Sequence, residues 1–173
     1  MSSEGLDEPT REESGKRHLF LILVIFLVGY GTDQLTKFLA VRHLDPANPP
    51  TFFGGFLKLQ LVFNPGAAFG LGSGFTVFLS LFAIVALIVV LVVALPRVRG
   101  LLHSLIVAFL LVGITGNLTD RLFREPGPLR GHVVDFFALP HFAVFNVADI
   151  FVTSAAILLV FATLRHEAVD NGV

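Results

Sequence analysis

Four stretches of this chain are apolar for long enough to form helices in lipid, and each meets polar residues at its ends. Residues 19–32 carry no charge, and the helical pattern runs on through Asp33, Gln34 and Lys37, which predicts a first helix over 18–41. Residues 75–95 are uncharged and long enough to cross a hydrocarbon core of about 30 Å. A basic turn over 96–100, with Pro96, Arg97, Arg99 and Gly100, leads into a third uncharged run over 101–119, broken only by His103. The fourth run, 145–164, holds one charge, Asp149, and is closed by Arg165 and His166. The first run also fits a signal-peptide core behind Lys16 and Arg17. Gly29-Tyr30-Gly31 is a poor cleavage site, however, and the helical pattern continues beyond it.

The connecting segments have a different texture. Over 42–74, Pro46, Pro49 and Pro50 mark a turn, and Lys58 and Gln60 then alternate with apolar residues across 56–63. That alternation predicts a strand with one wet face. Gly66, Gly70, Gly72 and Gly74 punctuate the return to the second helix. Residues 123–144 contain Pro126, Gly127, Pro128 and Pro140 and predict a loop folded back toward the bilayer. Residues 1–17, with Glu4, Asp7, Glu8, Glu12 and Glu13, predict a disordered polar tail, and 167–173 a short one. The expected fold is therefore an all-α membrane protein. One domain over 18–166 carries four transmembrane helices, with a small β-like cradle at the membrane surface between helices 1 and 2.

Composition agrees with this and removes several chemistries. Of 173 residues, 54% are hydrophobic and 14% charged, against about 25% charged in soluble domains. Cysteine is absent, which excludes disulfides, thiolate nucleophiles and thiolate-bound metals. A net charge of −1 without a basic stripe gives no sign of nucleic acid. Four spans place both termini and the 96–100 turn on one side. Arg11, Lys16, Arg17, Arg97, Arg99 and Arg165 lie there, and Lys37, Arg42, Lys58, Arg121, Arg124 and Arg130 lie opposite. The two counts tie, so the positive-inside rule does not orient the chain. The compact basic clusters at the helix ends favour cytoplasmic termini.

The alternating helix directions bring most of the polar residues to one membrane face. Helix 1 ends with Asp33 and Lys37, helix 3 with Asn117, Asp120 and Arg121, helix 4 begins with Asn146 and Asp149, and Asn64 precedes helix 2. Ionisable groups in spans are costly and mark a site or a path. Asp33 with Lys37, and Asn117 with Arg121, are each four apart and share a helix face. Either pair fits a plain structural role, an interfacial ion pair with a snorkelling lysine or a helix-to-helix polar contact, as well as a role in shaping the site. Asp149, about one turn inside helix 4, has no basic neighbour in sequence. It is either a helix cap or the partner of Asp135 on the preceding loop. Two close carboxylates share a proton and titrate as a unit, so that one activates water while the other protonates a carbonyl or a leaving amine.

Other chemistries have less support. His18, His43, His103, His132, His141 and His166 scatter over both faces without metal-ligand spacing. Ser73 lacks the glycine register of a nucleophile elbow, and the glycine run does not follow a βαβ unit.

Five short blocks in register resemble the lipoprotein signal peptidases, or signal peptidase II. They are Asp33-Gln34-Leu35-Thr36-Lys37, the block from Phe63-Asn64-Pro65-Gly66 to Gly70, Gly116-Asn117-Leu118-Thr119-Asp120-Arg121, Val133-Val134-Asp135-Phe136, and Phe145-Asn146-Val147-Ala148-Asp149. Pro65 and Thr119 depart mildly from the pattern. The resemblance implies an aspartic peptidase with Asp135 and Asp149 as the catalytic dyad. It implies that Asn64, Gly116, Asn117, Arg121, Asn146 and Ala148 line or brace the pocket, and that Asp33 and Lys37 hold the outer end of helix 1 against it. The implied reaction is hydrolysis just before the lipid-modified cysteine of a prolipoprotein, at the outer leaflet of the bacterial inner membrane. No cofactor or metal is expected, and the chain is expected to be a monomer among membrane lipids. Two rival readings remain: a small proton- or cation-coupled transporter, and a structural membrane subunit. The first calls for polar residues throughout the membrane depth, and the second leaves Asp149 unexplained.

Overall fold

The computed structural model describes residues 11–66 and 75–170. The start of the expected polar tail, residues 67–74 with Gly70, Gly72 and Gly74, and residues 171–173 lie outside the described residues. Helix α1 spans Arg11–His43 and so begins inside the stretch expected to be a disordered tail. Strands β1 (Thr51–Phe52) and β2 (Leu57–Asn64) follow, then α2 (Phe75–Val89), α3 (Leu101–Phe123), β3 (Val133–Ala138) and α4 (Val147–Asp170). Helix α2 runs on through a π-helical turn over Val90–Ala94 and a 3-10 turn over Leu95–Arg97. Pro96 has no N–H to offer the carbonyl four residues back, so the regular helix gives way there. Gly100, at φ 89°, then supplies a positive φ that most side chains avoid, and α3 begins.

Four segments are long and apolar enough to cross a membrane: Glu13–His43, Phe75–Arg97, Leu101–Phe123 and Val147–Arg165. Their surface confirms the expected class. Phe20, Val28, Phe82, Val85, Val92, Ile157 and Phe161 are exposed, while Asp33, Lys37, Thr76, Ser80, Ser104, Asp120, Asp135 and Asn146 are buried. A soluble monomer rarely exposes so much contiguous apolar surface, whereas lipid solvates it. Helix α3 is the hub, packed against α1, α2 and α4. Close approach depends on small residues, as is usual in membranes, where apolar burial between helices gains little over lipid. A Cβ on Gly113 would lie 2.3 Å from Val152 Cγ2, and one on Gly116 would lie 2.6 Å from Asp33 Oδ2.

At the end of the bundle bearing Ser104 and His18, the core is apolar: Ile22, Val90, Val107, Ala108 and Leu111. At the other end a three-stranded antiparallel sheet, in the order β1-β2-β3, packs Val134 and Phe136 on Ala40 of α1. Strand β3 arises inside the segment expected to be a loop. Val133, Val134, Asp135 and Phe136 are all buried, so no alternation of apolar and polar residues announces the strand.

The pairing of β2 with β3 contains a bulge that matters for the site. Leu59 pairs with Phe137, but Val62 pairs with Asp135, so Gln60 and Leu61 together oppose Phe136. The extra residue reverses the alternation. Lys58 and Gln60 face outward before it, and Val62 and Asn64 face inward after it. A regular strand would have put Asn64 on the wet face with Lys58. The bulge turns it in.

Candidate active site

The polar residues separate into two linked layers. In the inner layer, Asp33 and Lys37 sit one helical turn apart on α1 and face α3. Both are fully buried, which overturns the snorkelling alternative for Lys37. Its ammonium lies 2.9 Å from Asp33 Oδ2 and 2.9 Å from Asp120 Oδ2. It also donates to Asn117 Oδ1 at 3.0 Å and to the Gly116 carbonyl at 3.3 Å. Asp120 completes its environment with Arg124 and with the Val134 N–H at 3.2 Å. Charges therefore alternate along Asp33, Lys37, Asp120 and Arg124. This is the arrangement that lets carboxylates stay ionised out of water.

Asp33 also reaches α4, accepting the Ala148 N–H at 2.9 Å. The first turn of that helix has N–H groups with no partner inside the helix. Asn146 Oδ1 takes the Asp149 N–H at 3.1 Å, and Asp149 Oδ2 takes the Asn146 N–H at 3.1 Å. The pair forms a reciprocal capping box. Helix α4 thus starts at Val147, and Asp149 belongs to its first turn rather than lying a turn inside the span. The cap reading is met, and Asn146, which donates its N–H to Asp149 and its Nδ2 to Asp135, links the two carboxylates. Phe145 is held off the helix because it pairs with Phe137, with N–H to O distances of 2.8 and 3.0 Å. That clamp fixes β3, and Asp135 with it, against the start of α4.

The outer layer is built on amides. Asn64 Nδ2 donates to Asp135 Oδ2 at 2.9 Å, and Asn146 Nδ2 donates to Asp135 Oδ1 at 2.7 Å. Asn117 Nδ2 donates to Asp149 Oδ1 at 2.8 Å. Asn146 Nδ2 also reaches Asn117 Oδ1 at 3.0 Å. Amide orientation follows from one fixed point. An ammonium can only donate, so Lys37 requires Asn117 to present its oxygen, which turns Nδ2 toward Asp149. The same oxygen requires Asn146 to present Nδ2, which leaves its Oδ1 for the Asp149 N–H. Lys37 therefore sets the donors around both outer carboxylates without touching either of them. Burial pushes the Asp135 carboxyl up to about 6; hydrogen bonds from Asn64 and Asn146 oppose the shift, and the nearby Asp149 charge adds to it.

Every predicted site residue among the described ones joins this cluster or its wall. Gly116 and Ala148 are contact points, since a Cβ on Gly116 would lie 2.9 Å from Ala148 Cβ. Arg121 stands beside Gly66, within the fields of Asp135, Asp120 and Asp149, and its buried Nη1 has no hydrogen-bond partner among the described residues. Two contributors were missing from the sequence-based site. Asp120 is the second counter-ion of Lys37. Gln34 donates to Asp33 Oδ2 at 2.9 Å and to the Gly116 carbonyl at 3.2 Å. The position of Asp120, three residues after Asn117 on the same helix, carried the signal for the first. A cavity of about 270 Å³ opens beside Asp149, walled by Leu139, Phe142, Phe145 and Ile150, with Thr153 and Ser154 on its α4 side. Among the described residues, no cluster of three or more His, Asp or Glu side chains has the geometry to hold a metal ion.

Comparison with known proteins points the same way. A family model described as signal peptidase (SPase) II matches residues 23–165. The chain is 40% identical over 172 residues to a lipoprotein signal peptidase of Leifsonia xyli, covering 98% of this chain and 79% of that one. It is 41% identical over 163 residues to the lipoprotein signal peptidase of Streptomyces coelicolor, covering 92% and 78%. Two solved structures, each titled as a bacterial membrane enzyme, share the fold. One has a TM-score of 0.73 at 28% identity, covering 83% of this chain and 92% of that one. The other has a TM-score of 0.75 at 26% identity, covering 85% and 89%.

Proposed function

The chain belongs to the signal peptidase II family, is a multi-pass membrane peptidase, and on that premise we propose an aspartic mechanism at Asp135 and Asp149. The substrate is a bacterial prolipoprotein carrying a diacylglyceryl-modified cysteine, cut just before that cysteine. The observation that carries this reading is the linkage of two carboxylates through Asn146, each hydrogen-bonded to amides and neither ion-paired among the described residues. Such a pair shares a proton and titrates as a unit. Asp135, the more buried member, is assigned the proton. Asp149, at the positive end of α4, is assigned the base, because a helix N-terminus favours negative charge.

In the proposed reaction Asp149 takes a proton from water as the oxygen adds to the scissile carbonyl. Asp135 gives its proton to the carbonyl oxygen. As the C–N bond breaks, Asp149 gives its proton to the leaving amine and Asp135 takes one back from a hydroxyl of the tetrahedral intermediate, which leaves the new carboxylic acid and restores the pair's single proton. Arg121, with its open Nη1, is positioned to hold the peptide. The apolar cavity beside Asp149 suits a hydrophobic side chain near the cleaved bond. A lipid-anchored substrate reaches such a site sideways, because Asp149 lies at the end of a membrane-crossing segment. We assign the site to the extracytoplasmic face of the inner membrane, with both termini inside, and assign a monomer without metal or cofactor. The transporter reading has less support. Beyond the site the described core is mainly apolar, at Ile22, Val90, Val107 and Leu111, with Ser104 buried beside His18 at the far end.

The test is turnover of a purified, lipidated prolipoprotein in liposomes. Asp135→Asn and Asp149→Asn should each abolish cleavage while the protein still inserts and folds. Near-normal turnover by either variant would refute the assignment.

A further inference from the structure

A surface cavity of about 930 Å³ lies at the opposite end of the bundle from Asp135 and Asp149, and the proposed chemistry does not use it. Its volume is at the top of the roughly 300–1,000 Å³ range of small-molecule sites. It lies between the first turns of α3 and the later turns of α4. Leu101 and Leu105 contribute one wall, and Leu159 and Phe161 the other. These residues fall within two membrane-crossing segments, Leu101–Phe123 and Val147–Arg165, so the walls stand at acyl-chain depth. Leu101, Leu159 and Phe161 are each more than half exposed.

The rim has a different chemistry. Arg99 and Arg165 both line the cavity, one just before the first segment and one at the end of the second. They therefore stand at headgroup depth. His103 is a third basic lining residue, and its Nδ1 donates to the Arg99 carbonyl at 3.0 Å, which ties the basic turn to the start of α3. Among the described residues, no acidic side chain lines the cavity. An apolar slot open to the bilayer is filled by lipid chains, and two guanidiniums above it select the headgroup by charge.

We propose that this groove is a binding site for one anionic phospholipid of the leaflet nearest the termini. Its phosphate and headgroup sit between Arg99 and Arg165, and its acyl chains lie along Leu101, Leu105, Leu159 and Phe161. Direct lipid titration by native mass spectrometry of the full chain in detergent tests this. Palmitoyl-oleoyl phosphatidylglycerol should bind about fivefold or more tighter than palmitoyl-oleoyl phosphatidylcholine, the gain expected from a single well-placed arginine or more. Arg99→Gln and Arg165→Gln should each weaken that preference, and the double variant should abolish it. The Arg99→Lys, Arg165→Lys pair, which keeps both charges, should retain most of it. Arg97→Gln, in the same turn but outside the groove, should leave it unchanged. Excess inorganic phosphate should not displace the lipid, because the walls hold the chains. Equal binding of the two lipids, or a preference that survives the double glutamine change, would overturn the proposal. Displacement by phosphate alone would reduce the groove to a simple anion site and overturn it equally.

Discussion

Two pairs of carboxylates share one end of this bundle and are held in opposite ways. Asp33 and Asp120 meet a cation, each 2.9 Å from the Lys37 ammonium, and Asp120 also meets Arg124. Asp135 and Asp149 accept from Asn64, Asn117 and Asn146, and neither forms an ion pair among the described residues. A cation compensates a buried carboxylate with a full opposite charge. An amide orients a carboxylate without bringing a full opposite charge to it. The proposed mechanism uses the second group for proton transfer and leaves the first to structure. The two meet at Asn117, which accepts from Lys37 and donates to Asp149.

The loss of turnover expected for the dyad variants is the largest effect on that contrast. Next comes the cation. Lys37→Met leaves two buried carboxylates without their shared partner and should cost about 3–5 kcal/mol of stability. The dyad variants should cost much less, and unfolding in detergent micelles measures both. Asp33→Asn added to Lys37→Met should recover part of the loss, because Asp120 keeps Arg124 while Asp33 is left with no cation among the described residues. If Lys37→Met unfolds no more easily than the dyad variants, the two groups are not distinct in kind.

A smaller effect is steric. Gly116→Ala would place a Cβ 2.6 Å from Asp33 Oδ2 and 2.9 Å from Ala148 Cβ. Overpacking of this sort costs about 1–3 kcal/mol. It should also separate α3 from α4 and lower turnover, since Asn117 and Asp149 lie on those two helices. Stability and turnover that both match the unaltered protein would show that the contact can relax.

The finest test is titration of Asp135, which is held up at about 6. Asp149→Asn removes a like charge and should lower its pKa, though not to the ordinary value, because burial is the largest cause. Asn64→Ala removes a donor to the carboxylate and should raise it. Carbon-detected NMR of the labelled carboxyl reads both shifts. Shifts of the same sign in the two variants would contradict the assigned causes.

Much of this architecture was legible in the chain. Apolar runs gave the four helices, the first because its helical pattern continues past 19–32 through Asp33 and Lys37, and their alternating direction gathered Asp33, Lys37, Asn117, Asn146 and Asp149 at one end. Helix spacing also set Lys37 one turn from Asp33 and Asn117 one turn from Arg121. Strand β3 was not legible. A strand covered on both faces has no alternation, and Pro126, Pro128 and Pro140 around it read as a loop. The start of α4 was placed too early for a related reason, since Phe145 belongs to a strand pairing that hydropathy does not register.

The sequence by itself determined the class, the spans, the side on which the polar residues collect and, through its motif blocks, the family. Those properties depend on hydropathy and composition summed over neighbouring residues, and each segment carries them alone. Only the tertiary structure decided which side chains meet. The bulge opposite Phe136 turns Asn64 from the wet face to Asp135. Lys37, which sequence spacing allowed to reach for water, is enclosed by Asp33, Asp120, Asn117 and Gly116. Strand register and buried charge pairing are set by which distant segments pack together, and a buried polar group takes its partner from whatever packing brings within hydrogen-bond reach.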